Sequence, residues 1–345
     1  MFKRWLNQGS IVLKLSPRGP VLIKSGRETV DPSQPDMAFM RTRHPDVGDT
    51  VFFPGTGLKG ALRAHAERLL RGAGVWVCDP LAKALSPTDA AHRPLCREAA
   101  GKRDGQDSPP TATVFRLQCP ACRTFGSLAV SGHASVLDAY PWAVRADGEA
   151  MRKGAEVANR TERRIQVAID RETGQSAQGG GLFEIEAVTG GTFETEIPFE
   201  NLQLWQLALL FAVIQDLDAG DFGIGHGKAR GLGRVRAEIA HFRFTSLRPT
   251  NGHAAPNPES KLFGAAALAP SPEIDAYGLL TPDVIDLPDD LKSTATWRGQ
   301  ALELDNDQAR LLGDRLLEVT LAKAIPRLSG LRKANGASEG GARKP

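Results

Sequence analysis

The chain has 345 residues, enough for one large domain or two small ones, and its 41% hydrophobic content allows a sizeable core. Its 43 Lys and Arg against 40 Asp and Glu leave a net charge of +3, which excludes a histone-like polycation but not a local cationic surface. No apolar run approaches the roughly 20 residues that span a bilayer and Met1–Gln8 has no signal-peptide core, so a cytoplasmic protein is expected, whose four cysteines are not disulfide partners.

In chain order, Ser10–Leu15 alternates and reads as a strand, followed by a second extended piece at Pro20–Lys24. Ser25–Thr50, broken by Pro32, Pro35 and Pro45, reads as loop, and Val51–Phe53 as a short strand. Thr56 is a plausible N-cap for a helix over Gly57–Arg71 whose apolar face is Leu58, Leu62, Ala66, Leu69 and Leu70. Gly72–Cys122 is irregular and holds all the cysteines. Ser135–Ala139 is a strand candidate, and Ile165–Gly174 ends in a turn. Leu182–Val188 and Gly191–Phe199 read as strands paired across a Gly190–Gly191 turn. Asn201–Leu217 is the clearest helix, and Gly233–Phe244 a final strand. Ser246–Leu291 reads as peripheral, Asp305–Lys323 as a C-terminal helix, and Ser329–Pro345 as a disordered basic tail. Strands at both ends of a helical core point to an α+β fold.

Two glycine-rich basic segments carry the first chemical signal. Phe53-Pro54-Gly55-Thr56-Gly57-Leu58-Lys59-Gly60 opens a helix, and Gly223–Gly233 holds His226, Lys228 and Arg230. Glycine permits close approach of a partner, and cations beside such backbone suit phosphates. Lys228 is followed by Ala229, so the magnesium-binding hydroxyl of a phosphate-binding P-loop is missing. The second loop follows a helix and opens a strand, opposite to a dinucleotide fingerprint; the remaining alternative is a plain glycine turn. Lys59 sits in the first turn of its helix, where the dipole disfavours a cation unless an anion is bound.

Cys119-Pro120-Ala121-Cys122 is a CxxC knuckle, with Cys78 and Cys96 upstream and seventeen residues between them. No thioredoxin-like unit surrounds it, so the four cysteines read as a structural zinc site, with unliganded loop thiols as the alternative. Asp31, Asp36, Asp46 and Asp49 crowd one loop and could hold a divalent metal or supply a base, although loop aspartates also form turns. His44, His65, His92 and His226 are scattered, and no catalytic triad spacing is present.

Four stretches together resemble the RAMP superfamily of CRISPR-associated proteins. Phe53–Arg63 is similar to the family signature IPGSSLKGALR, and Cys119–Ser127 to C-x-x-C-x-x-FG-S. Val167–Gly174 with Leu182–Glu184 is similar to IDR-x-TG … LF-x-x-E, and Gly225–Val235 to GxGxxRGxGxV. The match covers roughly residues 10 to 245, in family order.

The resemblance implies the repeated guide-RNA (crRNA)-binding backbone subunit of a type III or type IV effector complex, type IV-like on account of the cysteine insertion and long C-terminal region. It implies a modified ferredoxin-like palm over 1–71 and 123–245, a zinc-bearing insertion at 72–122, a β-hairpin thumb within 150–182, an accessory region at 246–328 and a tail at 329–345. Lys24, Lys59, Arg63, Arg160, Arg163, Arg164, His226, Lys228, Arg230 and Arg234 are the expected RNA contacts, and Cys78, Cys96, Cys119 and Cys122 the zinc ligands. The implied partners are crRNA, target nucleic acid through the guide, further copies of the chain and other CRISPR effector subunits. In type III relatives an aspartate before the lysine-glycine helix cleaves target RNA. Asp36 is the matching position, with Asp31 a competitor, and magnesium would then be needed. The expectation is a binding and scaffold role. The alternatives are an endoribonuclease using Asp36 and an unrelated nucleotide-binding enzyme.

Overall fold

The computed structural model describes residues 3–26, 33–80, 96–97, 109–167, 169–176, 182–247 and 258–336, with 331–336 as backbone only. After β1 (Asn7–Pro17), a small hairpin of β2 (Arg41–His44) and β3 (Gly48–Val51) leads into α1 (Gly55–Gly72). The cysteine region contributes α2 (Thr111–Arg116) and α3 (Pro120–Phe125). Next come α4 (Gly148–Ala158), β4 (Glu162–Val167), β5 (Leu182–Ala187), β6 (Phe193–Glu200), α5 (Leu204–Ala219) and β7 (Val235–Leu247). The C-terminal part holds β8 (Lys261–Phe263), α6 (Ala265–Leu268), α7 (Ser271–Tyr277), β9 (Val284–Asp286), β10 (Thr294–Ala295), β11 (Gly299–Leu304) and α8 (Asn306–Leu316). A wide turn at Leu317–Leu321 joins α8 to α9 (Ala322–Gly336). Among the described residues no helix is long and apolar enough to cross a membrane.

The main sheet is antiparallel, in the order β10-β11-β7-β1-β6. β1 lies in the middle because both of its edges are paired: Leu13 faces Thr195 on one side and Ile239 on the other. Its alternating Ile11, Leu13 and Leu15 are buried, as is Ile197 from β6 and Phe242 and Phe244 from β7. The expected strand at 135–139 is an extended segment on the free edge of β6, where Ser135 donates to Pro198 O (2.9 Å) and Leu137 to Glu196 O (3.0 Å). With α1 before that segment and α5 between β6 and β7, the connectivity is β-α-β-β-α-β in the spatial order 4-1-3-2, a ferredoxin-like palm. The α+β expectation agrees with this arrangement.

Several local readings are corrected. β5 does not pair with β6 across Gly190–Gly191; it pairs with β4, Val188 crosses to Val21, and Gly191 at φ 89° turns the chain back into the main sheet. The region after Ser246 is not peripheral. β11 extends the sheet beside β7, and α8 packs on α5 so closely that a Cβ at Gly313 would lie 2.6 Å from the Phe211 ring. That cover explains why α5 is buried on all sides from Leu204 to Phe211 rather than on one face. The expected tail from Ser329 is helical backbone as far as Gly336, because Ala324 and Leu328, one turn apart, are buried; residues 337–345 lie outside the described residues.

Both palm helices are completed from far away. α1 starts at Gly55, not Gly57, and Thr56 is not its cap; Asp138 accepts from Gly55 N at 2.7 Å. Gly55 is required there, because a Cβ would lie 2.3 Å from Val136 O. α5 has its first amide held by Asp283, which accepts from Leu204 N (2.8 Å) and Ala266 N (2.9 Å). His65 of α1 meets Asp216 of α5 at 2.6 Å and stacks on Phe222 at 4.1 Å, which makes it a structural link between the helices.

Burial raises the Asp283 carboxyl to about 6 despite its amide donors. A folded-state value above the unfolded one means that stability is fully present below about pH 4 and declines as pH rises through about 6. Across that window Asp283 should cost on the order of 3 kcal/mol. Asp283→Asn, which cannot ionise, should have a lower plateau from its mismatched amide but a flatter dependence between pH 4 and 6 in urea titrations; parallel curves would contradict this account.

Candidate functional site

The four cysteines converge at the end of the long excursion from α1. Cys119 precedes Pro120 and caps α3, accepting from Cys122 N at 3.4 Å, so the knuckle directs both thiols to one side. Cys78 arrives just after α1, and Cys96 accepts from Cys119 N at 3.1 Å. All four sulfurs are buried, unoxidised and within 4.8 Å of one another. Cys78 lies 3.5 Å from Cys122 and 3.7 Å from Cys119. A tetrahedron with metal–sulfur bonds of about 2.3 Å has edges of about 3.8 Å, so the donor set fits zinc. Hydrogen bonding among the thiols, with Cys122 foremost, lowers the Cys119 pKa, while the bond to Cys119 raises that of Cys96.

α1 supplies the surroundings of that cluster. Arg63 donates to Cys122 Sγ (3.2 Å), Gly126 O (2.8 Å) and Glu67 (2.8 Å). Glu67 also binds Arg71 (3.1 Å), whose guanidinium reaches Cys78 O (3.0 Å). Burial alone would lower the Arg63 pKa, but its bond to Glu67 and the neighbouring sulfur keep it raised. Arg123, 1% exposed, donates to the carbonyls of Gln118, Arg116 and Gly278 and lies over Phe115. Glu67, Arg71 and Arg123 were not singled out from sequence; the four-residue spacing of Arg63, Glu67 and Arg71 is the signal that could have found the first two. Arg63, expected on RNA, is thus engaged by the cysteine cluster.

Beside the cluster is an open recess of about 510 Å³ lined by Thr56, Lys59, Gly60, Arg63, Arg97 and Ser127. Burial, then Arg63, depresses the Lys59 pKa. A Cβ at Gly60 would meet nothing within 4 Å, so the fold does not need glycine there. The bare helix surface beside a cation without an ion pair among the described residues admits an anion at close range.

The second glycine loop builds a different neighbourhood. Gly225 (φ 75°) passes under Leu22, where a Cβ would lie 2.3 Å from Leu22 O, and His226 N donates to that carbonyl at 2.7 Å. The fold itself therefore demands glycine in this turn. What the loop offers a partner is its side chains. Arg230 reaches the β4–β5 hairpin, donating to Gln166 (2.7 Å) and lying 5.2 Å from the Phe183 centroid, with His226 at 3.2 Å. Lys24, Lys228 and Arg234 are exposed and, among the described residues, have no ion pair. Arg163 pairs loosely with Glu184 (3.9 Å) and donates to Ser33 O (3.2 Å); Arg160 and Arg164 form surface pairs with Glu156 and Glu162. The expected RNA contacts thus fall into two groups, Lys59 with Arg63 and the loop with the hairpin.

The hairpin root is held by acids. Glu186 accepts from Phe39 N (2.9 Å), Arg41 (2.5 Å) and Thr161 (2.7 Å), and these donors lower its pKa against the opposing effect of burial. Asp36 is exposed and accepts from Glu184 N at 2.7 Å, which anchors its loop to β5. Asp36, Asp46 and Asp49 do not gather into a metal-holding group among the described residues; Asp31 and His92 lie outside them. The sheet face away from the core bears Lys14, Glu194, Glu196, Glu200 and Arg243 and no Phe, Tyr or Trp from β1, β6 or β7. It therefore lacks the aromatic base-stacking platform of RNA-recognition sheets.

No curated protein matches this sequence. The ferredoxin-like connectivity, the cysteine knuckle and the glycine loop all lie within or beside one matched region, residues 14–236. The match extends over more than half of the chain, which belongs to the RAMP superfamily.

Proposed function

We propose that the chain is a guide-RNA-binding backbone subunit of a class 1 CRISPR effector complex, arrayed in copies along the RNA with other effector subunits at its ends. The observation that carries this reading is the glycine loop seated on the β4–β5 hairpin, with Lys24, Lys228 and Arg234 exposed around it and His226 and Arg230 at its base. Cations without ion pairs on a loop with no base-reading sheet behind it suit a sugar–phosphate backbone, whose bases then stay free for pairing. The β4–β5 hairpin is the thumb in this reading, and Arg160, Arg163 and Arg164 on or beside it are further contacts. Lys59 in its recess takes a separate phosphate. The type IV-like assignment and the cytoplasmic location belong to the same proposal.

Cys78, Cys96, Cys119 and Cys122 would hold one zinc ion. Bound there, zinc supplies folding energy in a closed four-sulfur site with no open position. Arg63 offsets part of the thiolate charge and fixes the orientation of Cys122.

Full-length protein should bind oligoribonucleotides of unrelated sequence with similar affinity at low salt. Replacing Lys24 and Lys228 with Ala should weaken all of them about equally and reduce the salt slope by about one per lost contact. A loss confined to certain sequences, or no binding at all, would overturn the reading. Cys119→Ser should release zinc from the purified protein and lower its melting temperature; undiminished metal content would argue against the four-sulfur site. The exposed Asp36 carboxylate leaves target cleavage as a second reading. Asp36→Asn retains an acceptor for Glu184 N, so periodic, magnesium-dependent cutting of complementary RNA that vanishes in this variant would establish cleavage. The scaffold reading expects no such cutting by the wild-type assembly.

A further inference from the structure

The β10–β11 turn lies outside the family-matched region and carries an unusual surface. Trp297 at its tip is 85% exposed. The turn is closed by hydrogen bonds: Thr296 N donates to Gly299 O (2.7 Å), and the Thr296 hydroxyl bridges to Gly299 from both sides (3.1 and 3.2 Å). Beneath it β11 is registered on β7 from Gly299 opposite Leu247 to Leu304 opposite Phe242, so the tip is mounted on the central sheet. The Arg298 guanidinium lies over both indoles, 4.6 Å from the Trp297 centroid and 5.5 Å from that of Trp5, a cation–π stack. Arg298 is exposed and has no ion pair among the described residues, whereas neighbouring Arg4 is paired with Glu273 at 3.2 Å.

We propose that this stack is a platform for one base of a single-stranded nucleic acid, with Trp297 stacking on the base and Arg298 donating to the adjoining phosphate. Area decides against a protein partner. A Trp side chain offers about 150–250 Å², whereas a stable protein interface needs about 800 Å² from each side. Among the described residues, no other exposed large apolar side chain comes from the segments that build the stack. A single flat apolar face beside an available cation matches a nucleobase and its phosphate, since every base has a π-face and the guanidinium reinforces the stack. The inference extends the RNA-binding reading to a second contact, one that holds a base where the glycine loop holds backbone. The strand could be the unpaired flank of the guide or that of its target.

The test compares an oligoadenylate with an abasic oligomer of equal phosphate number, both titrated into the full-length chain. Trp297→Ala, at a site too exposed to disturb the core, should weaken oligoadenylate binding about tenfold and leave the abasic oligomer within about twofold. Trp297→Phe should retain most of the affinity, and Arg298→Ala should weaken both ligands. Overhangs placed on either strand of a guide–target duplex identify the source of the base by which one the Trp297 variant loses. Unchanged oligoadenylate affinity in Trp297→Ala would overturn the platform even where binding through Lys24 and Lys228 persists. So would a change that appears only as altered self-association in sedimentation. Loss of abasic-oligomer binding in the Lys24 and Lys228 variants alone speaks to the loop reading and keeps the two proposals separate.

Discussion

The structure depends on the pairing of one strand along both edges. β1 meets β6 on one side and β7 on the other, so segments near residues 10, 195 and 240 must be side by side before a core exists. Everything functional hangs from that sheet. The extended run after it delivers Leu22 to the glycine loop, α1 leaves towards the cysteines, and the β4–β5 hairpin departs just before β6 begins. The long insertions leave from the ends of these strands and do not interrupt their pairing.

The two glycine-rich segments do different work, although they look alike as sequence. In the second loop glycine is demanded by the chain's own close crossings, as at Gly225 under Leu22. In α1 the first glycine is demanded by packing against Val136, while Gly60 faces open space beside Lys59. Gly60 leaves room for a partner at the backbone, whereas the second loop offers one its side chains. A similar division separates the arginines: Arg63 and Arg123 fasten the cysteine region, whereas Arg234 is exposed and, among the described residues, has no ion pair.

What could be read in advance followed from local rules. β1 announced itself by alternation, α1 by its apolar stripe, the knuckle by its spacing and the glycine loop by its composition. What could not be read was set by distant partners. Nothing near Gly55 names Asp138 as its cap, and nothing in Leu182–Ala187 says that its neighbour is β4 rather than β6. The C-terminal third looked detachable because its apolar pieces are short, yet Leu262, Leu280, Ile285 and Leu312 join the main core. The bond from Arg63 to Cys122 is equally hidden in the sequence, since the sulfur lies 59 positions later.

Both palm helices have their first amide held by a carboxylate 83 or 79 residues further along the chain. Synthesis runs from the N-terminus, so α1 emerges from the ribosome well before Asp138, and α5 before Asp283. Until the later residue arrives, that first amide has only water to bond. The nascent palm thus stays open at both helix ends until synthesis has passed Asp283.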